Sequence, residues 1–203
     1  MAAHLREFYA VTGFPQALGA LDGCHFAVSP PNKNAVDYHS YKGWFRYINV
    51  GSPGRYHDAH VYARSRFREL VDSNSFLLPA SVIEVVPVPP IILCDQAFPL
   101  TPNPMKPYPT AVAETPEALF NYNLSKSWRI VENAFGRVKA RFRLIMKRLE
   151  CTLPNAKQAI RAACILHNIC EDLRDNIENQ WEQDLHQHDI SMGGGCLVME
   201  VKK

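Results

Sequence analysis

Ile91-Ile92-Leu93-Cys94-Asp95 is the stretch on which the fold turns. Pro87, Pro89 and Pro90 separate it from an earlier apolar run, and its own run reads as a buried strand. It ends on a carboxylate. Isolated burial of that charge is prohibitive, so Asp95 must be paired, neutralised or bound to a cation. Two further acids stand in telling places. Asp22 lies inside the apolar run Ala20-Leu21-Asp22-Gly23-Cys24-His25, and Glu132 opens the basic segment Arg129-Ile130-Val131-Glu132-Asn133-Ala134-Phe135-Gly136, with 36 residues between Asp95 and Glu132. Two or three such carboxylates converging would make an all-oxygen site suited to Mg2+ or Mn2+.

Outward from these acids the chain alternates strand and helix signals. The first dozen residues read as a short helix or frayed end, and Gly13-Phe14-Pro15-Gln16 as a turn. Ala17 to Val28 reads as a strand, with Cys24, Phe26 and Val28 alternating on a half-buried face. Pro30-Pro31-Asn32-Lys33-Asn34 reads as a loop, and Phe45 to Val50 as a second strand that breaks at Gly51-Ser52-Pro53-Gly54. A helix is expected from Asp58 to Val71. The proline-rich stretch between Phe98 and Pro116 must be irregular, because proline removes a donor and fixes φ. A short helix over Glu117 to Asn123 precedes the longest one, Ser127 to Arg148. The apolar stripe of the longer helix is Val131, Ala134, Phe135, Val138, Phe142 and Ile145. Pro154 starts a last helix over Lys157 to Leu173. The tail from Asp175, with Gly193-Gly194-Gly195, shows no periodicity and reads as mobile. Two strands, a helix, a strand and then helices make an α/β pattern, with chemistry expected at strand ends and on a helix facing them.

With 203 residues the chain fits one domain with a real core. That domain is placed over residues 13–173, followed by a tail over 174–203. No apolar stretch nears the roughly 20 residues that span a bilayer, the N-terminus has no h-region, and six scattered cysteines suggest reduced thiols in a cytosolic or nuclear protein. The net charge of +2 hides an asymmetry: eight basic residues and one acid lie between Lys126 and Arg148, leaving 14 basic and 19 acidic residues elsewhere. Such a helix suits a polyanion partner, or it is a solvated basic face.

Each motif has a plainer reading beside the functional one. Glu132 shares a helix face with Gly136, Lys139 and Arg143 and could hold a metal beside a phosphate backbone, or it is an acid favoured at a helix N-terminus by the dipole. Asp58, after His57, reads first as an N-cap and second as an accessory acid near the metals. His25 points away from Asp22 and makes a structural hydrogen bond. Cys164, His167 and Cys170 share a helix face broadly, but their apolar setting favours core packing over zinc. His186 and His188 are the weak metal signal of any polar tail. No Gly-rich phosphate loop, nucleophile elbow or CxxC pair is present, which removes the commonest nucleotide-hydrolysing and acyl-transfer classes.

Six segments in order resemble the DDE domain of PIF/Harbinger transposases and the Harbinger transposase-derived nucleases. They are residues 17–25, Tyr41-Lys42-Gly43-Trp44, Gly51-Ser52-Pro53-Gly54-Arg55-Tyr56-His57-Asp58, Cys94-Asp95-Gln96-Ala97-Phe98-Pro99-Leu100, Val131-Glu132-Asn133-Ala134-Phe135-Gly136 and Leu166-His167-Asn168-Ile169. The resemblance implies an RNase H-like fold with a mixed sheet flanked by helices. It implies Asp22, Asp95 and Glu132 as catalytic metal ligands, with His57 and Asp58 accessory. Two divalent cations, Mg2+ or Mn2+, would activate water or a 3′-hydroxyl and stabilise the leaving oxygen of a phosphodiester. Arg137, Lys139, Arg141 and Arg143 would follow the DNA backbone, a Myb-like protein would supply site recognition, and the location would be nuclear, with cytoplasmic location also open.

Against the family pattern, about 15 to 20 residues are absent near 50–51, so the sheet is expected to lack one strand of its central hairpin and to leave backbone groups unpaired. Two other readings therefore stand beside the endonuclease. One is an inactive transposase-derived module that binds DNA or protein, and the other is a truncated isoform without function.

Overall fold

The computed structural model describes residues 2–28, 33–39, 44–53, 56–73 and 80–175. The tail from residue 176 with its histidines and glycines, the segments at 29–32, 40–43 and 54–55, and the side chain of His25 lie outside the described residues.

The chain opens with helix α1 (Ala2–Thr12) and then builds three antiparallel strands, β1 (Ala17–Phe26), β2 (Lys33–His39) and β3 (Phe45–Pro53). Short helices α2 (Asp58–Ala63) and α3 (Arg66–Asp72) follow, then a hairpin of β4 (Ser81–Ile83) and β5 (Val86–Val88). Strands β6 (Ile91–Leu93) and β7 (Pro104–Met105) run parallel to each other, and β6 runs parallel to β1. Helices α4 (Pro116–Arg141), α5 (Arg143–Met146) and α6 (Leu153–Asp172) complete the described chain. The main sheet has the order β3-β2-β1-β6-β7. This mixed α/β architecture is consistent with the RNase H-like fold that the resemblance implies.

The expected gap in the sheet is absent. Residues read as the end of a loop, Lys33 and Asn34, begin β2, which pairs with β1 from Ala20↔His39 to Phe26↔Lys33 and with β3 on its other side. Three antiparallel strands therefore stand where two were expected. The proline pair drew the loop too long, although Val36 and Tyr38 are good strand formers. Strand β3 also continues through Gly51, Ser52 and Pro53 instead of breaking there. Proline is tolerated at the end of an edge strand, where a missing N–H costs little pairing. The same rule admits Pro104 to the opposite edge, inside the stretch expected to be wholly irregular.

Helix boundaries moved for local reasons. The helix expected from Asp58 to Val71 is two, because Ser65 donates its hydroxyl to the Tyr62 carbonyl at 2.7 Å and accepts the Arg68 N–H at 3.2 Å, ending one helix and capping the next. The two helices expected over 117–123 and 127–148 are instead one 26-residue helix. Thr115 caps it, Pro116 stands in its first turn, and it stops at Phe142. Most of the apolar stripe is seated as read: Val131, Ala134, Phe135, Val138 and Ile145 are buried, together with Phe8 of α1, Leu21 and Phe26 of β1, Ile92 and Leu93 of β6, and Ile160 of α6, while Phe142, at the break, is half-buried.

Helix α6 closes the sheet edge through one residue. The Asn168 side chain accepts the Phe45 N–H at 2.9 Å and donates to the Phe45 carbonyl at 2.9 Å, as a neighbouring strand would. His167 beside it sets its ring edge-on to Phe45, centroids 5.4 Å apart. Replacing Asn168 with Ala orphans both backbone groups of an edge residue. An urea melt is expected to show roughly 2 to 4 kcal/mol of destabilisation.

Candidate active site

Strand β1 lies at the centre of the sheet, and its parallel register with β6 sets Ala20 beside Leu93. The paired register ends there, and Asp22 and Asp95, two residues further along each chain, are near enough for the charge of Asp95 to act on Asp22. The neighbours Leu21, Cys24, Leu93 and Cys94 are buried, and the two carboxylates themselves are half-buried. Asp22 accepts the Gly23 N–H at 2.8 Å. Asp95 closes a turn of its own, its side chain accepting the Ala97 N–H at 3.0 Å.

A third carboxylate reaches the same place from α2. A methyl group built on Gly23 would lie 2.5 Å from Oδ1 of Asp58, so the Asp58 carboxylate rests against the bare α-carbon next to Asp22. The helix-cap reading of Asp58 is thereby overturned. His57 is the N-cap and makes no side-chain cap bond, while Asp58 is the first helical residue. His57, exposed at the helix entrance, eases the charge of Asp58.

The electrostatics record this crowding. Burial, and then the charges of Asp58, Asp95 and Glu132 in decreasing order, push the Asp22 carboxyl up to about 7 against the pull of the Gly23 N–H. Burial and Asp95 raise Asp58 to about 6. Asp95 is raised by burial, opposed by the N–H groups of Ala97 and Phe98 and by the charge of Lys106. Lys106, in the proline-rich stretch, escaped the reading of the sequence because that stretch has no periodicity to aim its side chains.

Glu132 takes the smallest of the three acidic shares at Asp22 and is itself exposed. It lies in the middle of α4, four turns from the start at Pro116, so the helix-dipole reading fails. Among the described residues no three His, Cys, Asp or Glu side chains form a group ready to hold a metal ion. The charges of Asp58 and Asp95 nevertheless reach Asp22, Asp58 fills the space that a side chain at residue 23 would need, and carboxylate oxygens are the donors that suit a hard cation.

The cations assigned to DNA divide. Arg141, only 7% exposed, donates to Glu171 at 3.1 Å, to Nδ1 of His167 at 3.1 Å and to the Asp175 carbonyl. Arg137 donates to the other oxygen of Glu171 at 2.8 Å. Both arginines bind α4 to α6 through this ion network. Lys139 is half-buried, and Arg143 is exposed beyond the break at Phe142, so it does not continue the face of Glu132. Arginine always donates, so His167 accepts at Nδ1 and carries its proton on Nε2. With Cys164 also buried, core packing is the role of that segment.

The fold is a mixed α/β domain with acids drawn near one another at the end of β6, and comparison with known proteins gives its family. The model of the DDE superfamily endonuclease family matches residues 21–168. The chain belongs to that family. It is 29% identical over 209 residues to "Protein ALP1-like" of Arabidopsis thaliana, covering 91% of this chain and 50% of that protein. It is 26% identical over 186 residues to "Putative nuclease HARBI1" of Homo sapiens, covering 80% and 48%, and equally so to the Bos taurus protein. The chain thus spans about half the length of these curated relatives. No solved structure matches it. Among the described residues no helix is long and apolar enough to cross a membrane.

Proposed function

We propose that this chain carries the catalytic core of a divalent-metal-dependent DNA endonuclease of the Harbinger transposase-derived type, working on DNA in the nucleus with a Myb-like protein choosing the site. The observation that supports the reading is the electrostatic crowding of Asp22 by Asp58 and Asp95, from α2 and the end of β6, with Asp58 resting against the bare α-carbon of Gly23 beside Asp22. Asp22 and Asp95 are the principal ligand candidates, Asp58 stands with them, and Glu132 completes the set from α4. Carboxylates crowded until Asp22 titrates at about 7 and Asp58 at about 6 gain most from a cation of two charges. Mg2+ or Mn2+ bound there would activate water and stabilise the leaving oxygen of a phosphodiester. The protein's own part is to hold the carboxylates on a rigid sheet and to exclude water with the apolar residues around them.

Nicking of supercoiled plasmid in Mn2+ tests the reading. Wild-type protein is expected to nick, and Asp95→Asn to lose activity by at least about a thousandfold, as expected for removal of a metal-bound charge. Equal nicking by both proteins would mean a contaminant or another site. DNA binding without nicking in either would favour the inactive binding module.

A further inference from the structure

With Arg137 and Arg141 committed to Glu171, the basic character of α4 that remains open to a polyanion lies at the other end of the helix. Lys126 and Arg129 are exposed and have no ion-pair partner among the described residues. At 3.6 residues per turn, Tyr122, Arg129 and Glu132 share one face and Lys126 flanks it. Tyr122 is 62% exposed, an unusual setting for a large ring beside two free cations.

The proline-rich stretch is fastened to α4 on the side of Glu132, where Asn121 stands about three turns earlier. Asn121 accepts the Tyr108 N–H at 2.9 Å and donates to the Tyr108 carbonyl at 3.0 Å. This clamp stands Tyr108 edge-on against Phe120, centroids 5.3 Å apart, with half of its surface in water. Two residues earlier, Lys106 acts on the charge of Asp95. Cations and exposed rings therefore lie both on the clamped stretch, which Lys106 ties to the acids, and on the first half of α4.

We propose that this is the path of the DNA strand: Lys106, Lys126 and Arg129 take its phosphates, while Tyr108 and Tyr122 stack bases of an unpaired segment beside the acids. Interleaved cations and rings are the pattern by which single strands are held without base-specific contacts. The inference rests on the endonuclease reading for its choice of ligand, and it moves the contact from the helix end where sequence alone put it.

The test is fluorescence anisotropy of a labelled DNA oligonucleotide, single-stranded and as a duplex, in EDTA so that binding is separate from cleavage. The double variant Lys126→Glu, Arg129→Glu is compared with Lys147→Glu, Arg148→Glu, which makes the same charge change at exposed positions beyond α5. The first pair is expected to weaken binding more than tenfold and to lower the salt slope by about two. Tyr122→Ala should weaken single-strand binding about tenfold, and duplex binding less. Equal losses in the two double variants, or none in the first, overturn the path while leaving the endonuclease reading standing. A wild-type protein that binds neither form at low salt overturns that reading and the path with it.

Discussion

Asp22→Asn is expected to make the metal-free protein more stable at pH 8, although the residue is central to the proposed chemistry. A carboxyl group whose value is raised on folding, here from 3.8 to about 7, binds its proton more tightly in the folded state. Stability is then greatest at acid pH and falls as pH rises from about 4 through about 7. Asp58, raised to about 6, adds to the same slope over a narrower window. Asparagine keeps a carbonyl oxygen for the Gly23 N–H and removes the charge that burial and its acidic neighbours oppose. The gain at pH 8 is on the order of a few kcal/mol, and at pH 4 the two proteins should melt together. Urea titrations in EDTA at both pH values measure it. A variant weaker than wild type at both would mean that the carboxylate is already compensated. Such a gain on losing a functional charge is the usual trade between stability and activity.

The second large effect lies at the other side of α4. Glu171→Ala removes the carboxylate that answers both Arg137 and Arg141, leaving Arg141 buried with only His167 and the neighbourhood of Asp175 to receive its donors. Breaking a buried pair from one side typically costs about 3 to 5 kcal/mol. The loss should be visible as a lowered urea midpoint with little change in slope. Arg141→Ala should be costly too, where a surface arginine reserved for DNA would leave stability almost unchanged. A stable Arg141→Ala protein with impaired DNA binding would restore the role that the sequence alone suggested for this residue.

Some of this was legible without coordinates and some was not, for physical reasons. Apolar runs ending in or enclosing an acid are rare enough that Asp22 and Asp95 stood out, and β1 and β6, paired as far as Ala20 and Leu93, bring them within electrostatic reach of each other. The stripe on α4 obeyed helical periodicity, and most of it was buried as read. Strand β2 was missed because a proline pair hid its start. The cap reading of Asp58 was put first because a cap and an acid near the site look alike at the start of a helix; what tells against it is Gly23, 35 residues earlier in the chain, whose bare α-carbon leaves room for the carboxylate. The fates of Arg137 and Arg141 depend on Glu171, a partner 30 or more residues away, which charge counting along one helix does not see.

A thermal melt in EDTA and in Mn2+, wild type beside Asp95→Asn, asks whether these carboxylates assemble around a cation. Mn2+ should raise the wild-type midpoint, with a gain that grows with metal concentration and with pH between 6 and 8, because binding to the folded state stabilises it by mass action and competes with protons. Asp95→Asn should lose most of that gain while still melting cooperatively. A wild-type midpoint indifferent to Mn2+, or one raised equally in the variant, would contradict a metal site built from Asp22, Asp58 and Asp95.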